Sequence, residues 1–383
     1  MKTYNLFYAL LACAILSCSK SDTNNEGNGG DGVTSGADAS YNLLVKDNGQ
    51  LSSTLINATA EVLIKNPATS AFEDISIPDL VYSDQSIFTT YHKDTNCGGV
   101  ISQFDFTDNT MTTIDLFTEL SDCNLNVTAI THSNDKFYLT YHLDDSNNYF
   151  IRIIDSSITE SNFIDVPLKS ESYDPTYIPK ELVFANEKLF ILGHDASATD
   201  EYHLLIMGSS NNTLMSDINL GFEVKQIFKN PSENIIVSYN NLHSEVNSST
   251  LKIKYTNYNE STAPNFINSK YNYFDKNGRM YYEMPPGDHS SYAIIPAVYD
   301  FDNQLAILYA YENFLTEAQS IFEFKIENTT MVSYDDKNDF IIVGYKKMES
   351  ANKGGILRIK PAPEPALIDN LDVDGIPYKL YVR

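Results

Sequence analysis

The chain has 383 residues, of which 51 are Asp or Glu and 26 are Lys or Arg, so its formal charge is -25. This charge argues against nucleic acid as a partner, because Lys and Arg bind that polyanion, and against docking on anionic lipid by charge alone. Trp is absent, which excludes the Trp-Asp type of propeller repeat, while 42% hydrophobic and 12% aromatic residues suffice for a folded core.

The chain begins with the features of an export signal. Lys2 precedes an unbroken apolar run, residues 6–16, which is shorter than the roughly 20 residues that span a bilayer. The run leads into the tetrapeptide Ile-Leu-Ser-Cys at 15–18, with an aliphatic residue three positions before Cys18 and a small residue just before it. This ending resembles a bacterial lipobox. The resemblance implies that residues 1–17 are a signal peptide and that Cys18 carries lipid, whereas the alternative is an ordinary secretory signal with a chance cysteine.

Residues 18–40 predict a flexible leash after the lipidated cysteine. They are rich in Gly, Ser, Asn and Asp and contain almost nothing apolar, so they cannot repay the entropy of ordering. A leash of this composition is similar to the export tethers of surface-exposed lipoproteins in some Gram-negative bacteria. We therefore expect the outer membrane as the location, with the cell surface and the periplasmic face both open.

One phrase recurs through residues 41–383: an aromatic residue, a polar turn, and an aliphatic run. The copies are residues 82–92 (YSDQSIFTTYH), 132–142, 184–194, 228–240, 274–284, 299–310 and 334–345, with a fainter copy at 44–56. Such turns join antiparallel strands, and the repeat distance of mostly about 35–52 residues is in the range of propeller blades. The copies at 274 and 299 are too close for separate blades, so we assign them to one blade.

The repeat predicts an all-β fold, a β-propeller of about seven four-stranded blades, with six to eight possible. The predicted third strands are Gly99–Asp105, Tyr149–Asp155, 202–207, 251–255, 321–326 and 355–359. The C-terminal residues 375–383 are predicted to pair with the N-terminal strands and close the ring. The aromatic residues before the turns are expected to pack in the core: Tyr82, Phe184, Phe228, Phe274, Tyr299 and Tyr334. The rival architecture is two β-sandwiches in tandem.

The repeat phrase resembles the broad class of bacterial β-propeller lipoproteins and covers residues 41–383. Within that arrangement, Cys97 and Cys123 fall in loops that emerge on the same face. Because an exported chain leaves the reducing cytoplasm, a disulfide between them is permitted. A metal-binding or nucleophilic cysteine is the alternative, although no Cys-x-x-Cys spacing supports it.

Several polar residues are candidates for a ligand face. His92, His142 and His194 end three consecutive second strands at equivalent positions, whereas Asp79, Glu181 and Glu223 sit near the starts of innermost strands. Equivalent positions on neighbouring blades lie too far apart for one metal ion, so we expect no shared metal site there. A glycosidase would need two carboxylates near the axis, and these three acidic residues are the candidates for them.

Asp372 and Asp374 resemble the first half of a calcium loop, but the loop is incomplete because its last position is Tyr381. We expect no cofactor other than a possible structural Ca²⁺. The sequence contains none of the common nucleophile, zinc-protease or phosphate-loop motifs. We therefore expect a membrane-anchored, non-catalytic binding module for a protein or glycan. The alternatives are an accessory subunit of an outer-membrane assembly and a carbohydrate-active enzyme with carboxylates near the axis.

Overall fold

The computed structural model describes residues 38–94, 98–120, 124–143, 148–156, 162–168, 177–196, 199–259, 263–266 and 272–383. The predicted signal peptide, the predicted lipidation site Cys18 and the two cysteines of the predicted disulfide, Cys97 and Cys123, lie outside the described residues, as does the predicted leash up to residue 37. The first strand begins at Ala39, so the last residues of the predicted leash belong to the folded domain. Within the described residues, no helix is long and apolar enough to cross a membrane.

The strands of the described residues form seven antiparallel sheets, the blades of a β-propeller. Blade 1 contains β1 (Ala39–Asp47), β2 (Gln50–Ala58), β3 (Leu63–Lys65), the short β4 (Ile75–Ser76) and the C-terminal β29 (Ile376–Val382). Blade 2 contains β5 (Leu80–Asp84), β6 (Ile87–Lys93), β7 (Gly99–Asp105) and β8 (Thr110–Leu116). Blade 3 contains β9 (Leu125–His132), β10 (Lys136–Leu143), β11 (Tyr149–Asp155) and β12 (Phe163–Pro167). The prediction of about seven four-stranded blades is confirmed, and tandem sandwiches are excluded.

The remaining blades follow the same order of strands. Blade 4 contains β13 (Ile178–Ala185), β14 (Lys188–Asp195), β15 (Glu201–Gly208) and β16 (Thr213–Gly221). Blade 5 contains β17 (Gln226–Lys229), β18 (Ile235–Ser238), β19 (Leu242–Val246) and β20 (Ile253–Asn257). Blade 6 contains β21 (Tyr273–Phe274), β22 (Met280–Met284), β23 (Ile295–Asp300) and β24 (Leu305–Leu308). Blade 7 contains β25 (Ile326–Asp335), β26 (Phe340–Lys347), β27 (Lys353–Lys360) and β28 (Ala366–Asp374).

The hydrophobic core is divided among the interfaces between neighbouring blades. Each cluster of buried side chains joins two adjacent sheets, as between blades 7 and 1, where Ile342 and Ile356 pack with Leu43 and Ile56. A sheet cannot bury both faces alone, so stacking around an axis is what removes its apolar faces from water. Of the aromatic residues before the turns, Phe228, Tyr299 and Tyr334 are buried. The other three, Tyr82, Phe184 and Phe274, are half-buried and pack against these clusters.

The last strand closes the ring, as the sequence predicted. β29 pairs with β1 and supplies the innermost strand of blade 1, with Leu43 opposite Leu380. Gly375 carries the chain from the outer strand of blade 7 directly into β29 with a φ of 115°. A Cβ at this position would lie 2.9 Å from the Cβ of Val45, so only glycine allows the crossing.

Two predicted third strands are wrong. Residues 251–255 overlap the fourth strand of blade 5, because the third strand is β19, which carries the buried polar residues His243 and Ser244 and lacks a continuous apolar signal. Residues 321–326 overlap a helical turn, Ala318–Glu323, in the connection between blades 6 and 7. Phe322 there is 72% exposed, so its apolar character does not mark a core strand. Two shorter 3-10 turns, Gly287–His289 and Tyr311–Asn313, lie in loops around blade 6.

Candidate functional site

A cavity of about 1220 Å³ lies along the axis, enclosed by the first strands of the blades. All seven blades contribute to its lining, and the first strands of several adjacent blades contact one another around it. We call it the axial cavity. Its charged lining residues are Lys46, Asp79, Asp84, Lys180, Glu181, Lys229, Glu233, Asp275, Lys276, Asp336, Lys379 and Arg383. Since pockets for small ligands typically measure about 300–1,000 Å³, the axial cavity has room for an extended ligand.

An ion pair crosses the axial cavity. Lys229 Nζ, at the end of β17 in blade 5, lies 2.6 Å from Asp84 Oδ2, at the end of β5 in blade 2. The same amine lies 3.6 Å from Glu233 Oε1. Both Asp84 and Lys229 precede the turn from the first to the second strand of their blades, so the pair marks that end of the cavity. Blades 2 and 5 are three positions apart in a ring of seven, so the pair narrows the cavity at that end.

His132 is a buried residue near this ion pair, behind the residues that line the cavity. Its Nδ1 is 2.8 Å from Thr89 Oγ1, and its ring meets that of Tyr82 edge to face. Burial lowers the pKa of His132 to about 4; Lys229 also lowers this pKa, whereas Asp84 opposes the shift. His132 is therefore neutral at physiological pH and belongs to a buried hydrogen bond with Thr89.

Lys379 presents an amine to the axial cavity from β29. Burial lowers the pKa of Lys379 to about 8, and the nearby carboxylate of Asp84 raises this pKa in partial compensation. The Lys379 side chain is half-buried, because protein surrounds it on the sides while the cavity gives it access to water. A buried ammonium with a lowered pKa is stabilised by any further negative charge that comes close.

Of the sequence candidates, Asp79 and Glu181 line the axial cavity, whereas Glu223 does not. Asp79 Oδ2 accepts a 2.7 Å hydrogen bond from the backbone N–H of Lys93, and Glu181 Oε2 accepts a 2.6 Å bond from that of Ile227. Both carboxylates thus hold backbone groups in place. Glu223 is exposed and accepts a hydrogen bond from Asn240.

The three strand-end histidines do not line the axial cavity. Each has a different partner: His92 contacts Ser76, His142 contacts Asn126, and His194 contacts Asp200. They belong to blades 2, 3 and 4 and do not converge. Within the part of the chain that the structure describes, no three His, Cys, Asp or Glu side chains form a group that could hold a metal ion.

The two calcium candidates lie at the outer edge of blade 7, in β28. Asp372 accepts hydrogen bonds from Lys347 Nζ and Tyr345 Oη, and Asp374 Oδ2 lies 3.5 Å from Lys65 Nζ. Ammonium groups thus contact both carboxylates. The two side chains have separate partners in the described residues.

Sequence reasoning missed the residues that define the axial cavity, namely Asp84, Lys229 and Lys379. Asp84 lies two positions after Tyr82, and Lys229 lies one position after Phe228, the aromatic residues of their repeat phrases. This position indicates the end of a first strand. Charged residues are common at turns, so this position alone does not reveal that two of them meet across the axis. Lys379 carried no signal beyond its place in the last strand.

No protein-family model and no curated protein matches the chain. Among solved structures, a putative 6-phosphogluconolactonase from Bacteroides fragilis is 11% identical, with a TM-score of 0.50 over 92% of this chain and 100% of that chain. The β-propeller domain of the trilobed protease from Pyrococcus furiosus is 9% identical, with a TM-score of 0.48 over 88% and 95% of the two chains. At this level of identity, the likeness concerns the fold alone.

Proposed function

We propose that the protein is a lipid-anchored, non-catalytic binding protein whose axial cavity holds a glycan. The observation that carries the proposal is the cavity of about 1220 Å³ to which all seven blades contribute. A concave cavity suits a small or extended ligand better than a globular partner, which needs a broad surface. Half-buried Tyr82, Tyr273 and Phe274 line it together with charged side chains, and sugars are bound by this combination of ring faces and polar groups.

The anchoring part of the proposal rests on the sequence. The apolar run of residues 6–16, the small Ser17 and Cys18 occur in the order that lipid attachment requires. We expect Cys18→Ala to abolish labelling by a clickable fatty acid and to shift the protein from the membrane to the soluble fraction. Retention of both label and membrane association in Cys18→Ala would overturn the anchoring proposal.

Binding is tested with the full-length lipidated protein in mild detergent, on an array of purified glycans followed by titration calorimetry. Lys180→Trp places a large side chain at an exposed position of the cavity lining, and we expect it to weaken glycan binding at least about tenfold. Lys360→Trp makes the same change at an exposed position outside the cavity and should leave binding unchanged. Binding that Lys180→Trp does not affect would remove the axial cavity from the proposal.

The same samples separate binding from catalysis. We expect each bound glycan to be recovered intact after prolonged incubation, because Asp79 and Glu181 accept hydrogen bonds from backbone amides. Cleavage of a bound glycan that Glu181→Gln abolishes would replace the binding protein with a carbohydrate-active enzyme. Capture of a stoichiometric membrane partner, with no glycan bound, would favour an accessory subunit.

A further inference from the structure

The axial cavity differs in charge from the rest of the chain. Acidic residues outnumber basic ones 51 to 26 over the whole sequence. In the cavity lining, by contrast, the basic and acidic side chains are equal in number. The lining is therefore formally neutral, although the whole chain carries a charge of -25. Since a cleft with walls of low dielectric focuses the field of the charges that line it, this local balance matters more to a ligand than the net charge.

The acidic side chains of the lining are already engaged by the protein. Each accepts a hydrogen bond: Asp79 from Lys93 N–H, Asp84 from Lys229, Glu181 from Ile227 N–H, Glu233 from Asn186 N–H, Asp275 from Arg279, and Asp336 from the Tyr273 hydroxyl. Asp275 is in addition fully buried. Lys229 and Arg279 compensate the charges of Asp84 and Asp275, and the other four carboxylates use part of their acceptor capacity on protein donors.

Two of the basic side chains are available for a ligand. Lys180 and Lys276 are exposed to the cavity, and neither has a hydrogen-bond or ion-pair partner among the described residues. They come from blades 4 and 6, and Lys379 adds a third amine from blade 1. Lysines from three different blades thus line one cavity, which is an arrangement that suits an anion.

We propose that the axial cavity binds an anionic ligand, a glycan that carries carboxylate or phosphate groups, through Lys180, Lys276 and Lys379. The inference rests on the proposed function, because it names the class of glycan for the same cavity. Each lysine can donate hydrogen bonds to an oxyanion of the ligand, and charge-assisted hydrogen bonds of this kind are among the strong ones.

The test compares an acidic glycan with its uncharged ester and adds a simple anion as a third probe. Trigalacturonate, its methyl ester and inorganic phosphate are titrated into the full-length protein in detergent by calorimetry. We expect trigalacturonate to bind at least about tenfold more tightly than the ester. Binding of phosphate alone, if it depends on the same lysines, would support the proposal with phosphate as the anionic group.

Variants assign the effect to the cavity. We expect Lys379→Met and Lys180→Met each to weaken binding of the anionic probe about tenfold, with Lys379→Arg retaining it because the positive charge is kept. Lys360→Met, outside the cavity, is the matched control and should bind like wild type. Melting temperatures of all variants establish that loss of binding is not loss of fold.

Three results would each overturn the inference. The first is that the ester binds as tightly as the acid, and the second is that Lys379→Met and Lys180→Met both bind the acid within twofold of wild type. The third is that none of the three probes binds. In the first case a neutral glycan still occupies the cavity, so the proposed function stands while the charge preference falls. In the third case the glycan array decides the proposed function independently.

Discussion

The ion pair of Arg358 and Asp369 links blades 7 and 1, where the ring closes. Arg358 is fully buried in β27, and its Nε and Nη2 lie 2.8 Å and 2.6 Å from the two carboxylate oxygens of Asp369 in β28. Its Nη1 also donates to the carbonyl of Thr59, and Asp369 Oδ2 accepts a 3.0 Å bond from Leu63 N–H. Thr59 and Leu63 belong to blade 1, so one arginine and one aspartate hold two blades together.

We expect Arg358→Met to destabilise the protein by about 3–4 kcal/mol. Methionine has a similar length, so little cavity is created, and the cost comes from leaving Asp369 and the Thr59 carbonyl without their donor. Breaking one partner of a buried ion pair typically costs about 3–5 kcal/mol. The value should fall in the lower part of this range, because the side chain of Asp369 is 20% exposed and keeps the bond from Leu63.

The assay is equilibrium unfolding in urea, followed by far-ultraviolet circular dichroism and by tyrosine fluorescence, since the chain has 26 Tyr and 0 Trp. Lys360→Met, an exposed change in the same strand, should stay within about 0.5 kcal/mol of wild type. The double variant Arg358→Met/Asp369→Asn should recover part of the loss, because no unpaired buried charge remains. A loss below about 1 kcal/mol for Arg358→Met, or no recovery in the double variant, would refute the reasoning.

Three further predictions concern titration and ring closure. Burial raises the pKa of Glu283 to about 7, so ionising this carboxyl costs folding stability progressively from about pH 4.5 upwards and fully above pH 7. Glu283→Gln should therefore raise the melting temperature at pH 8 but not at pH 4. An equal gain at both pH values would contradict this prediction. Measured by NMR titration, the pKa of His132 should rise in Lys229→Met and fall in Asp84→Asn. An unchanged pKa of His132 in both variants would show that the ion pair is not where the structure places it. Deleting residues 376–383 removes the innermost strand of blade 1, so the truncated chain should lack the cooperative thermal unfolding of the full chain, and a native-like melting curve would show that β29 is dispensable.

The repeat could be interpreted from the sequence because it is local. Each copy combines an aromatic residue, a polar turn that contains Asn or Asp, and an aliphatic run, and these features form a hairpin through contacts between near neighbours in the chain. Where the local pattern was weak, the interpretation failed. Polar β19 was missed because its buried His243 and Ser244 do not look like a core strand, and exposed Phe322 was mistaken for one.

The sequence by itself thus determined the all-β class, a blade count of six to eight centred on seven, and the closing role of the last strand. The tertiary structure alone decided where the candidate site lies. Lys229 and Asp84 are 145 residues apart and meet only because the closed ring places blades 2 and 5 across one cavity. Lys180 and Lys379 likewise acquire a shared environment only when every blade is in place. Hairpins are encoded by neighbouring residues, whereas an axial cavity is a property of the whole ring, so no single repeat contains the information for it.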